Sequence, residues 1–107
     1  MNAIAPVPRS GMRTRPPRQQ VALVCEIRQG LSPWARVMVH DISEGGFCMD
    51  WLPILDRTRA LRVRIPGFSV LNGHIRWRKD MLMGVEFNSP LYGPVLDHIA
   101  RRAARRG

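Results

Sequence analysis

Within six residues, Asp41-Ile42-Ser43-Glu44-Gly45-Gly46 brings together two carboxylates, a hydroxyl and two glycines. Asp and Ser bond nearby backbone amides in turns, and paired glycines permit left-handed backbone angles or close approach of a ligand to the main chain. The result is a rigid, polar, concave spot. Taken alone it is an ordinary structural turn. Arg13, Arg15 and Arg18 upstream of it supply a second kind of chemistry. A guanidinium presents five donors in a fixed fork that suits phosphate and carboxylate, and its flat face stacks on rings. Such a pair of segments is suited to holding an anionic, hydrogen-bonding ligand.

Chemistry performed on a ligand is poorly supported. His40, Asp41 and Ser43 are close in sequence, but side chains one apart on a strand face opposite ways and form no base–nucleophile pair without a bend. The acidic residues are scattered singly, and no glycine-rich phosphate loop opens a helix. Cys25 and Cys48 share no ligand spacing with His40, His74 or His98, so no metal site and no cofactor are expected. Each cysteine lies within a strand-like run, where a buried thiol is the commoner state in a reducing compartment. The reading is a binding domain and not an enzyme.

The elements that must position these residues are short strands. Residues 34–40 and 47–51 alternate apolar and polar side chains on either side of the Asp41 turn, so the turn joins two adjacent strands. Ahead of them Val21, Leu23, Cys25 and Ile27 line one face of a strand over 21–28, and Gln29-Gly30 to Ser32-Pro33 supplies a turn. After a loop or short helical turn at 52–58, Leu61, Val63 and Ile65 form a fourth strand, ended by Pro66-Gly67. A fifth, over about 69–78, puts Leu71, Gly73, Ile75 and Trp77 on its apolar side. Lys79-Asp80 reads as a tight turn, and Met81, Met83, Val85 and Phe87 continue that face in a sixth strand. Strands this short, each with one apolar face, must close on one another. Leu91, Val95, Ile99 and Ala103 then recur every four residues, which predicts an amphipathic helix ending in Arg101, Arg102, Arg105 and Arg106. The expected fold is all-β with a C-terminal helix: a six-stranded, mostly antiparallel barrel over about 19–88, capped by one helix over about 91–105.

A chain of 107 residues has room for one such domain and little surplus stability. Its formal net charge of +9 points to anionic partners such as nucleotides, nucleic acid or acidic membrane. The basic residues are nearly all arginine, with Lys79 the one lysine, a bias that a GC-rich coding sequence also produces. The first twenty residues carry no acidic side chain, several prolines and no apolar run long enough for a signal peptide or a membrane span. Residues 1–12 are read as a flexible basic arm, 13–107 as a single domain, and the protein as cytoplasmic.

An arginine motif before the first strand of a small barrel, followed one hairpin later by Asp-x-Ser-x-x-Gly, resembles the PilZ domain family. The likeness continues through Ile75-Arg76-Trp77 and Gly84-Val85-Glu86-Phe87 and spans roughly residues 13–99. The second motif is matched in full. In the first, with Arg18 as the second arginine of Arg-x-x-x-Arg, the leading position holds Thr14, flanked by Arg13 and Arg15; Arg9 and Arg13 have the literal spacing but lie further from the strand.

The resemblance implies cyclic di-GMP as the ligand. Arg18 with Arg13 or Arg15 would meet guanine O6 and N7, stack on a base or pair with phosphate. Asp41 would accept from guanine N1–H or N2–H, Ser43 would bond polar atoms of the ligand, and Gly45 and Gly46 would leave room for the base. The clamped ligand would signal to a protein effector. Two other readings stand beside it: a degenerate PilZ domain that acts through protein contacts alone, and a nucleic-acid-binding barrel. The last requires exposed aromatics between basic residues; in Arg76-Trp77-Arg78 the alternation places Trp77 with Ile75 in the core, which counts against it.

Overall fold

The computed structural model describes residues 18–103. Six strands are followed by one helix: β1 (Gln19–Arg28), β2 (Ala35–Ile42), β3 (Gly46–Asp50), β4 (Ala60–Arg64), β5 (Val70–Lys79), β6 (Leu82–Phe87) and α1 (Gly93–Arg102). They close into a barrel in the order β1-β2-β3-β6-β5-β4, with β4 returning to β1 and every pairing antiparallel. The expected six-stranded barrel with a C-terminal helix is the observed fold. The arm over 1–12, the placement of Arg13 and Arg15, and the helix end beyond Ala103 lie outside the described residues.

The alternation read along each strand fills the barrel. Val21, Cys25, Ile27, Val37, Val39, Met49, Leu61, Val63, Met83 and Val85 are buried together, and Leu91, Leu96, Ile99 and Ala103 extend the same core beneath α1. Pro94 in the first turn of α1 suits a position whose N–H has no partner within the helix. At its other end, Ala103 accepts a hydrogen bond from the Ala22 amide at 3.0 Å, which ties the helix to β1. The loop after β3 is held by Gln29, a buried polar side chain. Its amide donates to the Asp56 and Arg59 carbonyls, and its carbonyl accepts from the Asp56 amide.

Three irregularities in the ladders decide which side chains reach the outer surface. The β1–β2 register shifts between Gln20 and Leu23, and the β2–β3 register between Val39 and Asp41. A bulge resets which face a strand presents, so Val39 and Ile42 both point into the core while Asp41 turns outward. A third shift falls between Ile75 and Trp77 on β5. It overturns the placement of Trp77 in the core: the indole lies outside, 38% exposed, across from Gly84. Met81, expected on the apolar face of β6, instead follows Asp80 in the β5–β6 turn and is exposed. Asp80 takes a φ of 56° there.

Candidate functional site

Asp41 belongs to the end of strand β2, opposite Gln20 on one side and Cys48 on the other, and the tight turn is confined to the residues after Ile42. The bulge that buries Ile42 aims the Asp41 carboxylate outward, where Arg18 Nη1 donates to Oδ1 at 2.6 Å. Arg18 is thus drawn onto the first residue of the Asp-x-Ser-x-x-Gly segment. The pair is partly wet, with side-chain exposures of 42% for Arg18 and 18% for Asp41.

The turn is fixed from several directions. The Ser43 amide donates to the Gly46 carbonyl at 2.8 Å, the Phe87 amide to the Gly45 carbonyl at 2.8 Å, and the Leu91 amide to the Glu44 carbonyl at 2.7 Å. Ser43 is buried, and its hydroxyl accepts from the Gly45 amide and lies 3.4 Å from the Gly46 carbonyl. Its observed bonds are therefore to the turn itself. Neither Gly45 nor Gly46 adopts a positive φ, so the left-handed freedom expected of the pair is not used. The two glycines differ in what requires them. A Cβ on Gly46 would strike the Val85 carbonyl and crowd Glu86 Cα at 3.1 Å, so this glycine lets β3 and β6 approach. A Cβ on Gly45 would meet only the Ser43 hydroxyl, at 4.0 Å.

Beside the turn lies a groove of about 480 Å³, lined by Arg18, Ser43, Gly45, Gly46, Phe47, Arg76, Trp77, Gly84, Val85 and Glu86. Its size falls in the range of small-molecule sites. The structure thus gathers Arg18, Ser43, Gly45 and Gly46 on one groove, with Asp41 bonded to its rim. It also adds three residues that the motif reading left out. Trp77 forms one wall, its indole covering Gly84 where a side chain would collide with the ring. Arg76 and Glu86 pair across β5 and β6, and His74 Nε2 lies 3.1 Å from the same Glu86 oxygen. The sequence cue to Trp77 was Gly84 in the facing strand, because a glycine opposite a tryptophan makes a seat for the ring.

Electrostatics follow from these contacts. The Arg76 hydrogen bond is the main force holding the Glu86 carboxyl below its ordinary value; the charges of Arg76 and His74 add to it, and partial burial opposes it. Burial, with the Asp41 carboxylate adding to it, pushes the Cys48 thiol up, and burial alone pushes Cys25 to about 12. Both cysteines are free and buried. Among the described residues no three of His, Cys, Asp and Glu gather as a metal site, and no helix is long and apolar enough to cross a membrane.

Comparison with known proteins gives a consistent picture. The family model described as PilZ domain matches residues 12–103. Among solved structures, the Bacillus subtilis inhibitor of motility MotI/DgrA superposes with a TM-score of 0.63 at 20% identity, over 84% of this chain and 51% of that one. The chain therefore spans about half the length of that protein, and the likeness is one of fold. No curated protein matches the sequence.

Proposed function

The chain belongs to the PilZ domain family, a family of cyclic di-GMP receptor domains and not of enzymes, and on that premise we propose that it binds cyclic di-GMP between the Arg18 segment and the Asp41–Gly46 turn. The observation that carries this reading is the meeting of Arg18 and Asp41 at 2.6 Å on the rim of the Trp77 groove. A guanine edge presents acceptors at O6 and N7 beside donors at N1 and N2. It can therefore satisfy an arginine and a carboxylate at once, which a bare phosphate cannot. Trp77 offers a face on which a base stacks. Arg13 or Arg15, from the preceding segment, would close over the phosphates.

Magnitudes favour exchange of the resting ion pair for ligand. A partly exposed pair is worth about 0–1 kcal/mol, whereas one bidentate arginine–guanine contact contributes about 1–3 kcal/mol. Opening Arg18 from Asp41 thus costs less than a single well-made contact returns. The ligand remodels the surface around the turn, and a protein effector reads that surface; the buried free thiols suit a reducing cytoplasm.

Thr14, standing where the first motif arginine falls, favours a second reading in which the domain no longer binds the dinucleotide and acts by protein contacts. The nucleic-acid reading gains an exposed Trp77, but its flanking arginines are engaged, Arg76 by Glu86 and Arg78 over the Trp51 ring at 3.9 Å. Calorimetric titration of the full chain with cyclic di-GMP, with GTP and single-stranded DNA as controls, tests all three. One-site binding of the cyclic dinucleotide alone is expected. No heat at millimolar ligand assigns the chain to the degenerate reading, and tighter binding of DNA to the third.

A further inference from the structure

At the other end of the β1–β2 ladder from Arg18 and Asp41, where β1 also pairs with β4, lies a separate cluster. Trp34, just before β2, lies under three guanidiniums: the Cζ atoms of Arg64, Arg28 and Arg62 are 4.1, 5.2 and 5.9 Å from its ring centroid. Arg28 and Arg62 are direct cross-strand partners, and Arg36 faces Glu26 on the other side of β1. The one carboxylate within this set, Glu26, is bonded to Arg64 at 2.9 Å. Among the described residues Arg28, Arg36 and Arg62 make no ion pair, and Arg28 Nε is buried without a hydrogen-bond partner.

Folding alone gives no reason for this arrangement. Like charges directly opposite in a sheet destabilise it, and a buried donor without an acceptor costs stability. Stacking on Trp34 offsets only part of that cost. What the cluster does achieve is the concentration of unneutralised donors over one ring. Next to it, sharing Glu26 and Arg64, an open groove of about 650 Å³ runs along Ile65 to Ser69, with Phe68 in its lining.

We propose that this wall docks an acidic segment of a partner protein. Its carboxylates would be taken by Arg28, Arg62 and Arg36, and a neighbouring apolar side chain would enter the groove beside Phe68. Charge complementarity selects the anion, and the adjoining apolar groove favours a peptide over a phosphodiester chain. A nucleic acid would need a free aromatic face to stack on, and the Trp34 ring is already engaged by arginine.

The test is fluorescence anisotropy of a labelled peptide of alternating Glu and Leu against the full chain, with unlabelled oligothymidine as competitor. Arg62→Gln and Arg36→Gln are each expected to weaken peptide binding roughly tenfold, as loss of one charge-assisted contact does. Exposed Arg57 in the β3–β4 loop supplies the charge-matched control, and Arg57→Gln should leave the affinity unchanged. Arg62→Gln also removes the like charge opposite Arg28, so its melting temperature should hold or rise. Equal weakening by Arg57→Gln, preference for oligothymidine, or a lower melting temperature in Arg62→Gln without loss of peptide binding would each overturn the proposal. Arg36 is exposed and is not one of the arginines stacked on Trp34, so Arg36→Gln keeps the readout clear of folding.

Discussion

On the half of the surface around the groove the basic side chains meet carboxylates, Arg18 with Asp41 and Arg76 with Glu86, whereas at the other end of β1 Arg28 and Arg62 face each other over Trp34 and Arg64 alone of the three stacked arginines meets a carboxylate, Glu26. The paired half presents donors and acceptors in equal measure. A simple polyanion gains an arginine there only by leaving a carboxylate unmet, so the site favours ligands that carry both kinds of group on one edge. The Trp34 cluster, in which Glu26 neutralises Arg64 but not Arg28 or Arg62, has no such filter, and on the proposal above it takes negative charge as such. The two proposals thus divide one net charge between two modes of recognition, one set by pattern and the other by sign.

The strongest way to break the paired half is through its backbone. Gly46→Ala forces a Cβ against the Val85 carbonyl, and overpacking of this kind costs about 3 kcal/mol. A fall in melting temperature of more than about 10 °C is expected for a domain this size. Gly45→Ala, with open space before it, should shift it little. Equal melting temperatures for the two variants would show that β3 and β6 yield more easily than their spacing implies.

The next test sharpens the difference between pattern and sign. Arg18→Ala should cost about 1–3 kcal/mol of cyclic di-GMP affinity while lowering stability by no more than about 1 kcal/mol, since the Asp41 pair is partly exposed. Trp77→Ala should weaken binding by a similar amount through lost stacking. Thr14→Arg, which restores the family spacing with Arg18, should tighten it by about 1–3 kcal/mol if position 14 limits affinity. Unchanged affinity in Thr14→Arg, together with loss of binding in Arg13→Ala or Arg15→Ala, would mean that a neighbouring arginine already fills the role.

The smallest effect is a pH dependence. Glu86 titrates below its ordinary 4.5 in the folded protein because Arg76 bonds it. As pH falls through 4.5 the unfolded chain takes up the proton first. The stability this pair contributes is therefore present above 4.5 and is lost as pH drops toward the folded value. For so exposed a pair the change amounts to a few tenths of a kcal/mol. Melting curves of the parent chain should show a steeper acid slope than those of Arg76→Gln; parallel slopes would remove Glu86 from the account.

The barrel was legible because burial imposes a period of two along β1, β2 and β4, where Cys25 and Ile27, Val37 and Val39, and Leu61 and Val63 obey it. The helix was legible for the corresponding reason at its own period. What escaped were the places where the period slips. A bulge between Ile75 and Trp77 turns the indole outward, and nothing in the alternation of β5 marks it; only Gly84 across the sheet does. The bulge before Asp41 likewise places the carboxylate on a strand. Gly46 was read as room for a ligand, and the space it leaves is taken by the backbone of β6. Arg18 and Asp41 were grouped by motif spacing, and their contact is what register and bulge together produce.

Because β4 hydrogen-bonds back to β1 over Glu26–Arg28, the six strands close into a ring. Where the ladders are complete a partner finds no free main-chain amides to pair with, and recognition there reads side chains and turns. Closure also denies the sheet the freedom to slide, since shifting one strand would break the ladders on both of its sides. If the proposed ligand binds beside Asp41, a closed ring of this kind resists passing the event on as a deformation of its wall. On that proposal the response is written on the outer surface, in the contacts that Arg18 and its neighbours exchange, and the domain acts as a stationary frame whose output is a change of face.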